Sequence, residues 1–397
     1  MMKCYCKIWV FLSFNGLVAV GSVISFLLAI AWAFSYVSPS SRPVTQNYDI
    51  HIPKFNGSMG ICNVFEGSWI SDNSYPLYDA SDCPFAEHGF NCFANGRKDR
   101  GYTKWRWMPR DCEIPRFNAR TVLSKLRGKR VVFVGDSLSR TQWESFICLL
   151  MTGVEDKRSV YEINGKKITK QIRFLGVRFS SFNIRVDFYR SVFLVMPGPV
   201  PKRSPKRVKT TLRLDKLDDI SQEWIDSDVL IFNSGHWWTR TKLFDMGWYF
   251  QVGDLLKLGM PVTTAFREAL NTWSSWVERM SNSNRTKIFF RTFESSHWSG
   301  QSRNSCKVTR RPLSKTHGRE RSLISDIIIK VVKKMAVPVT VLHVTPMGAF
   351  RSDGHVGTWS DNPSIADCSH WCLPGVPDMW NEILISYLLT NEGVLLQ

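Results

Sequence analysis

Three short stretches of this chain carry residue types that could do covalent chemistry. In VVFVGDS (131–137) an apolar run ends in Gly135-Asp136-Ser137. Such a run closed by glycine reads as a buried parallel strand, and Leu138 to Leu150 can follow it as a helix. Ser137 would then stand at a helix N-terminus, where free backbone N–H groups and the helix dipole favour developing negative charge. A serine so placed can attack a carbonyl while its own N–H helps to hold the oxyanion, with Gly135, Asp136 and Arg140 as positioning candidates. The plain alternative is an N-cap serine without chemistry. The order is GDSLS, not G-x-S-x-G, so the sharp elbow of the α/β-hydrolases is not indicated.

A hydroxyl needs a base, and the base needs an orienting carboxylate. Asp367-Cys368-Ser369-His370 offers both, three residues apart, a spacing that lets them meet within one helical turn or tight loop. Zinc is a competing reading of Cys368, His370 and Cys372, with Cys306 or Asp367 as a fourth ligand. Exported cysteines usually pair instead, so no metal is assigned. The third stretch, Asn233-Ser234-Gly235-His236-Trp237-Trp238, follows a second apolar run. Asn233 or a backbone N–H near Gly235 could complete an oxyanion hole, although a turn explains Asn and Gly equally well.

The elements that must position these residues alternate. DVLIFNS (228–234), KIFFRTF (287–293) and VTVLHVT (339–345) read as buried strands. PVTTAFREALNTWSSWVERM (261–280), RSLISDIIIKVVKKM (321–335) and DMWNEILISYLL (378–389) read as helices. That alternation predicts an α/β fold with a parallel sheet and helices on both faces, whose sites collect at the carboxyl ends of the strands. Residues 155–215 are less clear and could hold extra strands or a long insertion. Residues 61–113 carry four cysteines and little regular pattern, as in a small lobe that needs covalent staples.

Ile8 to Phe34 contains no charged residue and is long enough to cross a hydrocarbon core, which takes about 20 residues. Lys3 and Lys7 precede it, which favours a cytosolic tail at 1–7 and export of the rest. A cleaved signal peptide, with Ala29, Ala31 and Ala33 near its end, is the rival; the apolar run exceeds the usual signal core, so an uncleaved anchor at 8–34 is expected. Residues 35–60 read as a stem. Of the ten cysteines, Cys4 and Cys6 precede the span and the other eight follow it, as suits an oxidising compartment. Asn56 and Asn284 head glycosylation sequons. The net charge of +18 would suggest nucleic acid, but an exported, anchored protein rarely meets it, so no nucleic-acid partner is assigned and an acidic glycan or anionic lipid surface is expected. The cluster Lys202, Arg203, Lys206, Arg207, Lys209 and Arg213 reads as a solvated loop, with substrate attraction as the alternative.

GDS followed far downstream by D-x-x-H resembles the GDSL/SGNH hydrolase superfamily. The closer resemblance is to the plant trichome birefringence-like family, whose characterised members are Golgi polysaccharide O-acetyltransferases. It rests on GRKDRGYTKWRWMPRDC (96–112), KRVVFVGDSLSRTQWESFICLL (129–150), VLIFNSGHWW (229–238) and DCSHWCLPGVPDMWNEIL (367–384), and runs from Cys62 to about Leu384. The resemblance implies a flavodoxin-like three-layer αβα core in 114–397, with the lobe 61–113 packed on it. It implies Ser137 as nucleophile, His370 as base and Asp367 as its orienting partner. An acetyl group from acetyl-CoA or a carrier would pass through Ser137 to a sugar hydroxyl of a wall glycan of the xylan, mannan or pectin class. It implies no tightly bound cofactor, a Golgi membrane location with the catalytic domain lumenal, and a donor transporter or carrier as possible partner. The family pattern pairs Cys62 with Cys112, Cys83 with Cys148, Cys92 with Cys372 and Cys306 with Cys368. Where relatives often read Ser-Pro-x-His and then Gly-x-Trp, this chain has Glu294-Ser295-Ser296-His297-Trp298-Ser299-Gly300, expected at the rim of the site. Trp237, Trp238, His297, Trp298 and Trp371 are the candidates for sugar contact, although most tryptophans in these motifs serve to pin loops. An esterase with the same triad, or a glycan-binding protein without catalysis, is the alternative.

Overall fold

The computed structural model describes residues 63–169, 172–280, 285–299 and 305–390. The expected tail, anchor and stem, together with Asn56, Cys62 and Asn284, lie outside them. No helix among the described residues is long and apolar enough to cross a membrane.

The central sheet has seven strands: β1 (Arg130–Gly135), β2 (Val160–Glu162), β3 (Phe174–Phe179), β4 (Ile184–Arg190), β5 (Val229–Asn233), β6 (Lys287–Arg291) and β7 (Val339–Leu342). Their order is β7-β6-β5-β1-β4-β3-β2. The five strands from β7 to β4 are parallel, and β3 and β2 extend the sheet as an antiparallel edge. Counting only the parallel strands in chain order, the arrangement is 2-1-3-4-5, the doubly wound order of flavodoxin-like sheets. β1 carries Val131, Val132, Phe133 and Val134 with no exposed surface, as a strand covered on both faces requires.

Winding reverses direction at β1, so right-handed crossovers put the helices on opposite faces. α1 (Ala119–Lys125), α2 (Ser137–Met151) and α5 (Val376–Thr390) pack together; α3 (Val262–Met280) and α4 (Leu323–Val332) form the other pair. α2 is buried from Leu138 to Met151, polar residues included. Several of these pair internally: Gln142 Nε2 donates to Asn381 Oδ1 (3.1 Å) and Ser145 Oγ to Asp378 Oδ1 (2.6 Å).

Residues 155–215, left open by the sequence, hold β2, β3 and β4 and the start of a second, four-stranded sheet, Val195–Gly198, Thr210–Leu217, Trp248–Val252 and Leu255–Lys257, packed against α3. The basic cluster is largely exposed in the loop between the first two of those strands, as its solvated reading expects. The lobe is more regular than its sequence suggests. Gly67–Ser71 pairs antiparallel with Trp105–Pro109, and Trp107 is buried with its indole N–H on the Val64 carbonyl (2.9 Å). Disulfides join Cys83 to Cys148, Cys92 to Cys372 and Cys306 to Cys368. Cys112 is disulfide-bonded as well.

Candidate active site

β1 ends at Gly135 and α2 begins at Ser137, so the serine stands where the chain turns from strand into helix. Asp136 caps the helix, accepting from the Leu138 N–H at 3.0 Å. Asn233, the last residue of the neighbouring β5, locks the turn: its Nδ2 donates to Asp136 Oδ1 (3.1 Å) and its Oδ1 accepts from the Asp136 N–H (3.3 Å). Gly135 is what lets these strands close up. A Cβ there would lie 2.0 Å from Asn233 Oδ1. Burial would raise the Asp136 pKa, but bonds to His236 and Asn233 and the charge of Arg291 outweigh it and hold the carboxyl well below the usual range.

His370 arrives from the far end of the chain. Its segment is not a helical turn or loop but a short strand, Asp367–Trp371, antiparallel to His355–Gly357. Trp371 faces His355 while Asp367 faces Gly357, so the longer strand bulges between those points. In a regular strand, side chains three residues apart point to opposite faces; a bulge re-aims them. Here Asp367 Oδ1 accepts from the N–H groups of Ser369 (2.8 Å) and His370 (2.9 Å), and Oδ2 meets His370 Nδ1 at 2.6 Å. A carboxylate can only accept, so Nδ1 carries the proton and Nε2 is left as acceptor, 2.7 Å from Ser137 Oγ. Burial raises the Asp367 pKa, yet its bonds to His370 and the two N–H groups win and keep it ionised. His370 and Asp367 side chains keep 25% and 28% of their surface exposed, enough for a substrate to reach them.

The base is held from several sides. Phe90 of the lobe stacks on the His370 ring at 5.5 Å between centroids. The Arg140 guanidinium lies over the Phe90 ring, 4.9 Å from its centroid, and is ion-paired with Glu87 and Glu144. Below the strand, His355 Nδ1 donates to the His370 carbonyl (2.9 Å), its Nε2 meets His297 Nδ1 (2.7 Å), and His297 Nε2 faces the Ala349 carbonyl (2.9 Å). Three such bonds need three N–H groups. Burial pushes both pKa values down, His355 to about 3, so the neutral pair supplies two.

Residues 114–387 match the family model described as the GDSL/SGNH-like acyl-esterase family found in Pmr5 and Cas1p, and residues 61–113 match the Pmr5 N-terminal domain. The chain is 58% identical to trichome birefringence-like protein 7 of Arabidopsis thaliana over 94% of this chain and 84% of the relative. It is 43% identical to trichome birefringence-like protein 6 of the same plant (83% and 70%) and 41% identical to protein 9 (83% and 84%). This chain belongs to the trichome birefringence-like family.

Within this trichome birefringence-like fold, several expected site residues take other roles. Asn233 is buried and bonds Asp136 through both amide atoms, so it positions the turn. Arg140 is buried against the lobe and supports His370 through Phe90. Gly235 has φ +143°, and a Cβ there would lie 2.7 Å from Ile324; the position accommodates close packing. Of the first-turn amides of α2, that of Leu138 is taken by Asp136, which leaves those of Ser137 and Ser139 as the oxyanion-donor candidates. Among the sugar-contact candidates, Trp238, His297 and Trp371 are interior. Trp238 donates to Ser234 Oγ (3.0 Å), and Trp371 stacks on His355 at 4.0 Å. Of the segment expected at the rim, Glu294, Ser295 and His297 are buried, with Glu294 ion-paired to the buried Arg291, Ser299 is exposed, and Gly300 lies outside the described residues. Trp298, half-buried, donates to Ser369 Oγ (2.8 Å). Trp237 lines an open groove. Cys368 and Cys372 are in disulfides, which removes the thiolates the zinc reading needs. Phe90, Glu87 and His355 carry no motif that marks them in the sequence; Phe90 could be suspected only from its place two residues before Cys92.

Proposed function

We propose that this protein is an O-acetyltransferase that carries an acetyl group through Ser137 to sugar hydroxyls of a plant cell-wall polysaccharide of the xylan, mannan or pectin class. The observation that carries the reading is the Asp367–His370–Ser137 chain of short contacts, 2.6 and 2.7 Å, beside a helix N-terminus at the switch point of the sheet. Ser137 Oγ attacks the acetyl carbonyl of acetyl-CoA or of a carrier-delivered acetyl group, and its proton passes to His370 Nε2. The carbonyl electrons rest on an oxyanion facing the amides of α2. Collapse expels the donor's leaving group, which takes the proton back from His370. A sugar hydroxyl then gives its proton to the same nitrogen as its oxygen attacks the acetyl-serine, and collapse breaks the acyl–Oγ bond as Ser137 Oγ takes that proton back. Asp367 stays ionised and holds the imidazolium. No tightly bound cofactor is needed. An N-terminal anchor at 8–34 would hold this chemistry in the Golgi lumen, with residues 1–7 cytosolic and a donor transporter or carrier as partner.

The test is mass spectrometry of Ser137 after incubation with an acetyl donor, followed by chase with de-acetylated glycan. An acetyl-Ser137 peptide that disappears as acetylated glycan forms is the expected result. No label, or unchanged transfer by Ser137→Ala, overturns the reading. The acyl-esterase description of the family model favours one second reading, delivery to water by the same residues; free acetate without glycan product would establish it.

A further inference from the structure

We propose that the groove beside Ser137 holds a uronate residue of the acceptor glycan, its carboxylate taken by Arg190 and Lys242 and its ring laid against Trp237. This rests on the acyl-transfer reading and names the acceptor class for it. The groove grows from the same strand end as the serine. Arg190 closes β4 opposite Gly135 in register, and the next N–H, of Ser191, donates to the Gly135 carbonyl at 2.9 Å. The other wall is the segment after β5, tied across by Ser234 Oγ donating to the Val192 carbonyl (2.9 Å), and it carries Trp237 and Lys242. The space enclosed is about 410 Å³, within the range of small-ligand sites.

Its walls offer an apolar platform and unspent positive charge. Phe193 meets Trp237 edge-on at 6.2 Å, fixing the indole, and Trp248 packs on Phe193 at 5.7 Å. Two carboxylates also line the groove, Asp218 and Asp219, but both are bound by Arg173, Asp218 at 2.6 Å. Among the described residues no carboxylate pairs with Arg190 or Lys242. Instead both cations lie over the indole, the Lys242 ammonium 4.7 Å and the Arg190 guanidinium 5.8 Å from its centroid. Cation–π contact holds them in place and leaves their N–H donors free. A neutral sugar could use the indole but would leave the two exposed cations to water. A carboxylate on a pyranose satisfies both, the guanidinium taking two oxygens at once. A donor phosphate has the same charge, and the test separates the two sources.

Binding of a uronate-containing oligosaccharide to full-length Ser137→Ala protein is measured by calorimetry, beside the same oligosaccharide with its carboxyl groups reduced to alcohols. The uronate form is expected to bind at least about tenfold more tightly, and Arg190→Gln with Lys242→Gln to abolish that preference. In the active protein the pair should raise KM for the uronate acceptor and leave KM for the acetyl donor unchanged. Equal affinity for both oligosaccharides, or loss of both in the variant, overturns the proposal; a raised donor KM assigns the cations to a donor phosphate and overturns it too. Acetyl-Ser137 formation without glycan is scored separately. Its absence sinks the acyl-transfer reading, whereas its presence with no uronate preference sinks only this subsite.

Discussion

Two carboxyl groups on α5 face the lobe with no surface in water to speak of: Asp378 accepts from Tyr78 Oη (3.0 Å), Ser145 Oγ and the Gly375 N–H, and Glu382 accepts from Tyr75 Oη at 2.9 Å. Burial raises the first pKa to about 7 and the second to about 8, outweighing the hydrogen bonds that favour the ionised forms. In the unfolded chain both titrate at about 4. Folded values above unfolded ones mean that the native state binds more protons between those limits, so stability falls as pH rises through this range. The buried histidines act oppositely. His236, His297, His343 and His355 have lowered pKa values, so the unfolded chain gains protons below about pH 6.5 and stability falls on acidification. Above about pH 7.5 the histidines are neutral in both states and only the carboxyls count. From about pH 7.5 to 9, Asp378 and Glu382 together contribute a loss of roughly 1 kcal/mol, most of it from Glu382. The assay is urea unfolding of the oxidised protein followed by tryptophan fluorescence at several pH values across that window. Asp378→Asn with Glu382→Gln should flatten the dependence. A wild-type protein whose stability is constant from about pH 7.5 to 9, or a double variant with the wild-type slope, refutes the reasoning.

Asp367→Asn keeps the strand but lets His370 take the wrong tautomer, and transfer should fall about 10⁴-fold with unchanged circular dichroism. Gly135→Ala drives a methyl into Asn233 and should lower stability by about 2–4 kcal/mol; Asn233→Ala in the same chain should recover part of it, as a double-mutant cycle in urea would measure. Replacing Cys306 and Cys368 by serine opens a link spanning 62 residues, with an expected loss of about 2–4 kcal/mol in thermal or urea unfolding. Phe90→Leu removes the stack on His370, and kcat should drop while KM for the donor holds, read from steady-state kinetics.

The parallel core was legible because β1, β5 and β6 bury both faces and so read as unbroken apolar runs. β4 was not, since IRVDFYR places Arg185 and Asp187 inside the strand. Those charges satisfy each other: Asp187 is buried between Arg130 and Arg185, 2.8 Å from each. Ion pairing across strands cannot be seen in one strand's sequence. Ser137 and the Asp367–His370 pair were legible from residue type and spacing, but the bulge that joins the pair was not, because it depends on register with His355–Gly357, and nothing local announces that partner. Which of the aromatic candidates reach the surface was not legible for a related reason. A tryptophan beside a motif looks the same whether its ring is buried, like Trp238 and Trp371, or open, like Trp237.

The family models divide this chain at residue 113, yet the folded molecule has no seam there. Phe90, Cys92 and Tyr102 from the first segment share one apolar cluster with Val356, Cys372 and Leu373 from the second, and a disulfide runs through it. Anyone building hybrids between relatives by exchanging the N-terminal segment would therefore also be exchanging a wall of the imidazole's pocket. Transplanting the pieces separately would separate the base from its clamp. The unit that can be inherited, shuffled or engineered intact is the two segments together.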